Sequence, residues 1–245
     1  MKQRLLPIAA VLITLPLLAP TAASANSFVF TASGSNNDGS LAAEADITTG
    51  AGVIDIVLKN LLSPSQINAA GQTLSDLKIF LDNLPGNLTA RTATGQMANI
   101  ANDGSVTDVS GSPLRWVGLG NTEVPPASGS GTFTISGNTV LMEALGGGQP
   151  SELLLPAGTS FAGAAASIVG GQFNPFVVAG DLTIHLGLSG VTAATNITAV
   201  DFSFGTGPDT TIHVVPGPIV GAGLPGLIAA CTGLVALARR RRKIA

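Results

Sequence analysis

His185 and His213 are the only imidazoles of this chain, and its single cysteine, Cys231, lies in an apolar run near the C-terminus. A catalytic or structural zinc site needs three or four ligands at suitable spacing, and neither His-x-His nor His-Glu-x-x-His occurs. With no other cysteine, the body has no disulfide, no thiolate metal ligand and no thiol nucleophile. Gly-x-Ser-x-Gly is also absent, although a serine triad on another scaffold is recognised by geometry rather than by motif. The acidic pairs Glu44/Asp46 and Asp55/Asp76 are the candidates for a glycosidase dyad, whose carboxyl groups must stand roughly 5–10 Å apart. Sugar sites also use aromatic shelves, for which there are only Trp116 and scattered phenylalanines. Phe28, Phe30, Phe133, Phe202 and Phe204 alternate as strand-core residues do. The two histidines read as solvent-facing strand residues. These residues point away from an enzyme, and no metal or cofactor is expected.

Asn-Asp-Gly-Ser occurs twice, at 37–40 and 102–105. Its oxygens are hard ligands of the kind calcium takes, but neither copy supplies an Asp-x-Asp-x-Asp ladder or a distal glutamate, so both read as turns. Gly221-x-Gly223-x-x-Gly226 imitates a dinucleotide fingerprint, yet no strand precedes it and no acidic residue follows at the required distance. Gly217 and Gly221 have the spacing of a helix-dimerisation motif, but Pro216 and Pro218 oppose helix there. The sequons at Asn87 and Asn196 carry little weight in a chain whose C-terminal tail looks bacterial.

Charge is sharply segregated. All 14 acidic residues fall between Asp38 and Asp209. Seven of the 11 bases lie at the two ends, leaving Lys59, Lys78, Arg91 and Arg115 against those acids, a formal charge of −10 for the body. Such a body repels a phosphate backbone, which argues against nucleic-acid binding.

The elements that would position these groups are short strands. Ile54, Ile56 and Leu58 alternate with Asp55, Val57 and Lys59; Leu182, Ile184, Leu186 and Leu188 alternate with Thr183 and His185. Val200–Phe204 and Thr211–Val215 continue the pattern. Leu77–Leu81, Leu114–Val117, Gly131–Ile135 and Asn138–Met142 are shorter candidates, the last two joined by a tight turn at Ser136-Gly137. A helical turn or two is expected over Pro64–Ala70, starting from Ser63. The expected fold class is all-β, a single β-sandwich or jelly-roll-like body over 26–214, flanked by an N-terminal signal helix and a C-terminal transmembrane helix. Pro125-Pro126 and the Ser/Gly run to Gly131 mark a connection within it.

The ends are the most explicit part of the chain. Residues 1–25 have the tripartite form of a secretion signal: Lys2 and Arg4, the apolar stretch Leu5–Ala19, and Ala23-Ser24-Ala25 as a small-x-small site for signal peptidase before Asn26. At the other end, Ile219–Ala238 carries no charge, and twenty residues of helix span roughly 30 Å, the thickness of a hydrocarbon core. Arg239, Arg240, Arg241, Arg242 and Lys243 follow directly and would stay on the cytoplasmic side.

Val215-Pro216-Gly217-Pro218, an apolar span, then an arginine cluster at the C-terminus resembles the PEP-CTERM sorting signal of Gram-negative bacteria, in a Pro-Gly-Pro variant in which Gly217 stands at the glutamate position. The resemblance covers about thirty residues. It implies processing by an exosortase-like membrane enzyme, with sorting determinants at Val215, Pro216, Gly217, Pro218 and Arg239–Arg242. It also implies inner-membrane anchoring before passage outward, and a link to exopolysaccharide and biofilm systems. The expected function is a non-enzymatic, exported cell-envelope or extracellular-matrix protein. The alternatives are a calcium- or glycan-binding adhesin with a cleft near Trp116, then an envelope hydrolase.

Overall fold

The computed structural model describes residues 25–109, 114, 116, 132–145, 150, 152–178, 180–207 and 210–216. These form fourteen strands: β1 (Asn26–Asn36), β2 (Gly39–Gly50), β3 (Val53–Asn60), β4 (Leu74–Leu81), β5 (Leu88–Thr94), β6 (Met97–Ile100), β7 (Val106–Asp108), β8 (Thr132–Ser136), β9 (Thr139–Glu143), β10 (Leu154–Leu155), β11 (Phe176–Val178), β12 (Leu182–Leu188), β13 (Ile197–Phe204) and β14 (Thr210–Val214). Five make a first sheet in the order β1-β2-β3-β12-β5. The other nine make a second sheet, β14-β13-β4-β10-β11-β6-β7, with β9 pairing β4 and β8 pairing β9. One edge of β4 is thus shared, with Leu74 meeting β10 and residues 76–80 meeting β9. All pairings are antiparallel except β10–β11.

The alternation seen in sequence becomes burial. Ile54, Ile56 and Leu58 on β3 lie opposite Leu186, Ile184 and Leu182 on β12, and all six are fully buried. Directly opposed residues share a face of a sheet, so this row forms the inner wall of the first sheet. Leu77, Ile79, Val200 and Phe202 form the facing wall of the second. One continuous core joins them, as expected where two apolar sheet faces exclude water from each other. At the β1/β14 side the two sheet edges close on one another, where a Cβ on Gly34 would stand 3.0 Å from Ile212.

Several details differ from the sequence-based expectations. The hairpin between β8 and β9 turns on Gly137-Asn138, one residue later than Ser136-Gly137, because Ser136 pairs with Thr139 and Gly137 takes φ +58°. Leu114 and Trp116, the described members of the expected strand 114–117, are buried but belong to no strand. Pro64–Ala70 forms no α-helix; two 3-10 turns occupy Pro64–Gln66 and Ala70–Gln72. The Gln66 side chain accepts from the Ser63 N–H at 2.8 Å, capping the start of the first turn, and Gln72 accepts from the Asn68 N–H at 2.6 Å, just ahead of the second.

Both Asn-Asp-Gly-Ser segments are turns, with Gly39 at φ +132° and Gly104 at φ +81°. In the first, Asp38 accepts a hydrogen bond from Gly71 N–H at 3.0 Å, tying the β1–β2 turn to the second 3-10 turn. A Cβ at Gly39 would also stand 2.9 Å from the Gln72 amide. Gly39→Ala is therefore expected to cost about 2 kcal/mol from backbone strain alone, read as a lower urea midpoint with an unchanged slope.

Candidate functional site

The two ends of the body emerge together. Asn26 opens β1 opposite Thr49, and the Thr49 hydroxyl donates to the Thr195 carbonyl at 3.0 Å. Thr195 lies just before β13, whose early residue Val200 pairs with Val214 at the end of β14. Ala25 and Val215 thus leave the body at the same end of the sandwich. The β1–β2 turn and the connection from β3 to β4 lie at the opposite end.

Four loops complete the shared end, and main-chain hydrogen bonds weld them across both sheets. Gly52 N–H donates to Val191 O at 2.9 Å, Leu188 N–H to Gly52 O at 2.8 Å, and Gly190 N–H to Pro85 O at 2.8 Å. Asn83 donates its side-chain amide to Gly190 O at 2.8 Å, and Leu81 N–H donates to Asn138 O at 2.9 Å. Glycine is required where these backbones meet: a Cβ on Gly190 would stand 2.4 Å from Leu84 O, and one on Gly86 2.5 Å from Gly190 N. Across residues 51–52, 82–87, 137–138 and 189–196 the only ionisable side chain is Asp82. Its carboxylate is held by the Asn196 N–H and side-chain amide, at 3.0 and 2.7 Å. Leu84 stands 67% exposed at the apex of the 82–87 loop, and Val215 is 61% exposed.

Of the residues assigned to processing from sequence, Ala25 is exposed and precedes β1, while Val215 and Pro216 follow β14 without secondary structure. Ala23, Gly217, Pro218, Arg239, Arg240, Arg241 and Arg242 lie outside the described residues, as do the signal and transmembrane helices expected at either end. Among the described residues no helix is long and apolar enough to cross a membrane.

The groups with the chemistry of a catalytic or metal site are dispersed. Asp55 sits on the outer face of the first sheet and Asp76 on β4 of the second, so that pair is not brought together. Glu44 and Asp46 instead grip Lys59 from one side, at 2.9 and 3.0 Å. Those two bonds push the lysine ammonium well above its usual range.

Each histidine faces an aspartate across a strand pair. His185 Nδ1 lies 2.6 Å from Asp55 Oδ1, and His213 Nδ1 lies 2.5 Å from Asp201 Oδ1. A carboxylate only accepts, so Nδ1 carries the proton in both pairs. These are exposed cross-strand pairs, each with about 0–1 kcal/mol to contribute. Trp116 is fully buried and donates its indole N–H to Glu152 O at 2.7 Å, so it lines no open cleft. An open cleft of about 250 Å³ does lie beside the second Asn-Asp-Gly-Ser turn, lined by Asn99, Asn102, Thr107 and Asn174. Asn174 spends both ends of its amide on the Ile100 main chain. Among the described residues no three His, Cys, Asp or Glu side chains converge as a metal site.

One carboxyl pair escaped the sequence reading. Asp76 on β4 lies directly opposite Glu143 on β9, and opposite Ser203 on β13. Asp76 is buried, its Oδ1 has no hydrogen-bond partner, and Ser75 Oγ approaches Oδ2 only at 3.4 Å. Burial, then repulsion from Glu143, pushes the Asp76 carboxyl up to about 7, and Glu143 is pushed up by its own burial. Lys78, one row along β4, places its ammonium 4.9 Å over the Phe80 ring, which also meets the edge of His213. The pair therefore holds a proton near neutrality. Its only signal in sequence was the alternation of β4 and β9; the register that opposes them is a tertiary fact.

Neither a family model, nor a curated protein, nor a solved structure matches this chain.

Proposed function

We propose that the protein is an exported, non-enzymatic body of the cell envelope or extracellular matrix, hung from the inner membrane by its C-terminal segment until an exosortase-like enzyme cuts near Pro216–Pro218. The observation that carries this reading is the emergence of Ala25 and Val215 at one end of a rigid sandwich, next to a signal-like leader and a sorting-like tail. A body tethered first by its leader and then by its tail meets the membrane through the same end in both states, with no need to turn over. Ala25 and Val215, the described residues beside the two proposed cut sites, are both exposed.

Signal peptidase, the exosortase-like enzyme and the inner membrane are the partners of this reading. Exopolysaccharide is the proposed destination, and the outer envelope or the extracellular space the final location. Intact mass spectrometry of protein recovered from the native envelope and medium tests it. The expected species begins at Asn26 and ends within 216–218, whereas a species that keeps Arg239–Ala245 would establish a permanent single-span anchor. Replacing Arg239–Arg242 with glutamine is expected to abolish the short species and leave the body folded, because the arginines lie outside it.

A further inference from the structure

We infer that the neutral end of the sandwich, with Leu84 at its apex, is a lipid-facing surface that rests against the phospholipid headgroups while the chain is anchored. The inference rests on the membrane reading of residues 219–238 and goes beyond it, because anchoring alone fixes neither which surface faces the bilayer nor how close it comes.

The first argument is the length of the tether. Pro216 is the last described residue, and only Gly217 and Pro218 separate it from the apolar segment that starts at Ile219. Three residue steps reach roughly 10 Å when fully extended. Two of these residues, Pro216 and Pro218, are prolines, each with one backbone dihedral fixed. The end carrying Val215 is therefore held within about one headgroup layer of the hydrocarbon. The opposite end, from which β2 runs its 12 residues toward the tethered end, stands roughly 40 Å further away.

The second argument is electrostatic. A body of formal charge −10 is repelled by an anionic leaflet, and the repulsion acts within about one Debye length, roughly 8–10 Å. Charges placed at the tethered end would feel it fully. Among the described residues that end has one carboxylate, Asp82, already engaged by two donors from Asn196. The remaining acids of the first sheet lie on its outer face or at the far turn: Glu44, Asp46 and Asp55 in the strands and Asp38 in the β1–β2 turn.

The third argument is the shape of the surface. The loops are welded by main-chain hydrogen bonds, so the end is a firm platform rather than a set of free loops. Leu84 projects from it at 67% exposure, and Val215 lies beside the tether at 61%. An isolated exposed leucine on a soluble body means little. Here it stands at the end from which the anchor departs, where the headgroup region would cover it.

Depth-dependent quenching tests the inference with the full chain in vesicles of phosphatidylethanolamine and phosphatidylglycerol carrying a headgroup nitroxide. Cys231→Ser provides a background free of other thiols, and a fluorophore is attached in turn at Leu84→Cys, Ala194→Cys and Asn37→Cys. Ala194 is a second exposed reporter at the same end, and Asn37 marks the distal turn. The expected result is quenching several-fold stronger at 84 and at 194 than at 37. Agreement between 84 and 194 guards against a label that drags its own loop into the lipid. Equal, weak quenching at all three positions in protein that floats with the vesicles overturns the inference and leaves the anchor intact. Protein that fails to float removes the anchoring reading itself, and the inference with it.

Discussion

Asp76→Asn is expected to raise the melting temperature at pH 8 and to flatten the dependence of stability on pH between 4 and 8. The folded protein lifts the Asp76 carboxyl from its ordinary range to about 7. In that interval the folded state binds more protons than the unfolded state, and stability falls as pH rises. The contribution is fully present below the unfolded pKa, near 4, and is lost as pH climbs through about 7. A rise of this size corresponds to roughly 4 kcal/mol, or roughly 8–16 °C in a domain of this length. The amide keeps the shape of the protonated acid and cannot ionise, so the variant should overtake the wild type at pH 8 and match it near pH 4.

Glu143→Gln should act in the same direction and less strongly, because it removes only the repulsion and leaves Asp76 buried. Circular-dichroism melts of the three proteins at pH 4.5 and 8 decide the matter. Should Asp76→Asn prove less stable than wild type at pH 8, the ionised carboxylate has a favourable partner and the account of the pair is wrong.

The second large effect concerns Trp116, the only tryptophan of the chain. It is fully buried with its indole N–H on Glu152 O at 2.7 Å. Trp116→Ala should cost about 3–5 kcal/mol, the usual loss for emptying a buried aromatic site. Trp116→Phe should cost about 1–3 kcal/mol, combining lost volume with the lost indole hydrogen bond. Because no second tryptophan contributes, the wild-type fluorescence should be blue-shifted, resistant to aqueous quenchers and a direct reporter of unfolding. Ready quenching by iodide, or a Trp116→Ala midpoint equal to wild type, would falsify the burial described here.

The same residue shows what sequence could and could not supply. The adhesin alternative called for a cleft near Trp116, yet the side chain packs inside, because nothing in a local pattern states which sheet will cover a given position. By contrast, β3 and β12 were plain in sequence. Ile54, Ile56, Leu58, Leu182, Ile184, Leu186 and Leu188 follow period two, and a sheet with one face on a core enforces that period on any chain that forms it. Both Asn-Asp-Gly-Ser turns were equally plain, since the positive φ values at Gly39 and Gly104 are conformations few other residues tolerate.

The hairpin at Gly137-Asn138 was misplaced by one residue because either dipeptide can turn. Only the pairing of Ser136 with Thr139 selects between them. The helical turn or two expected over Pro64–Ala70 is two 3-10 turns: Gln72 takes the Asn68 N–H, the donor that an α-helix starting at Pro64 would give to the Pro64 carbonyl.

What the amino-acid order determined by itself is what depends on local chemistry: the alternating strands, the turns, the basic and apolar ends flanking an acidic body, and the lack of thiol or clustered-histidine chemistry within it. Tertiary structure alone decided three things, each of them a matter of strand register and sheet order. Asp55 and Asp76 went to different sheets, and Asp76 met Glu143 instead. Glu44 and Asp46 were placed about one lysine. The insertion of β12 beside β3, and of β13 beside β14, carried residues 25 and 215 to the same end of the body. Pairing partners more than a hundred residues apart in sequence, such as Ile54 and Leu186, leave no local trace of one another, because either strand would satisfy its alternation against any apolar neighbour.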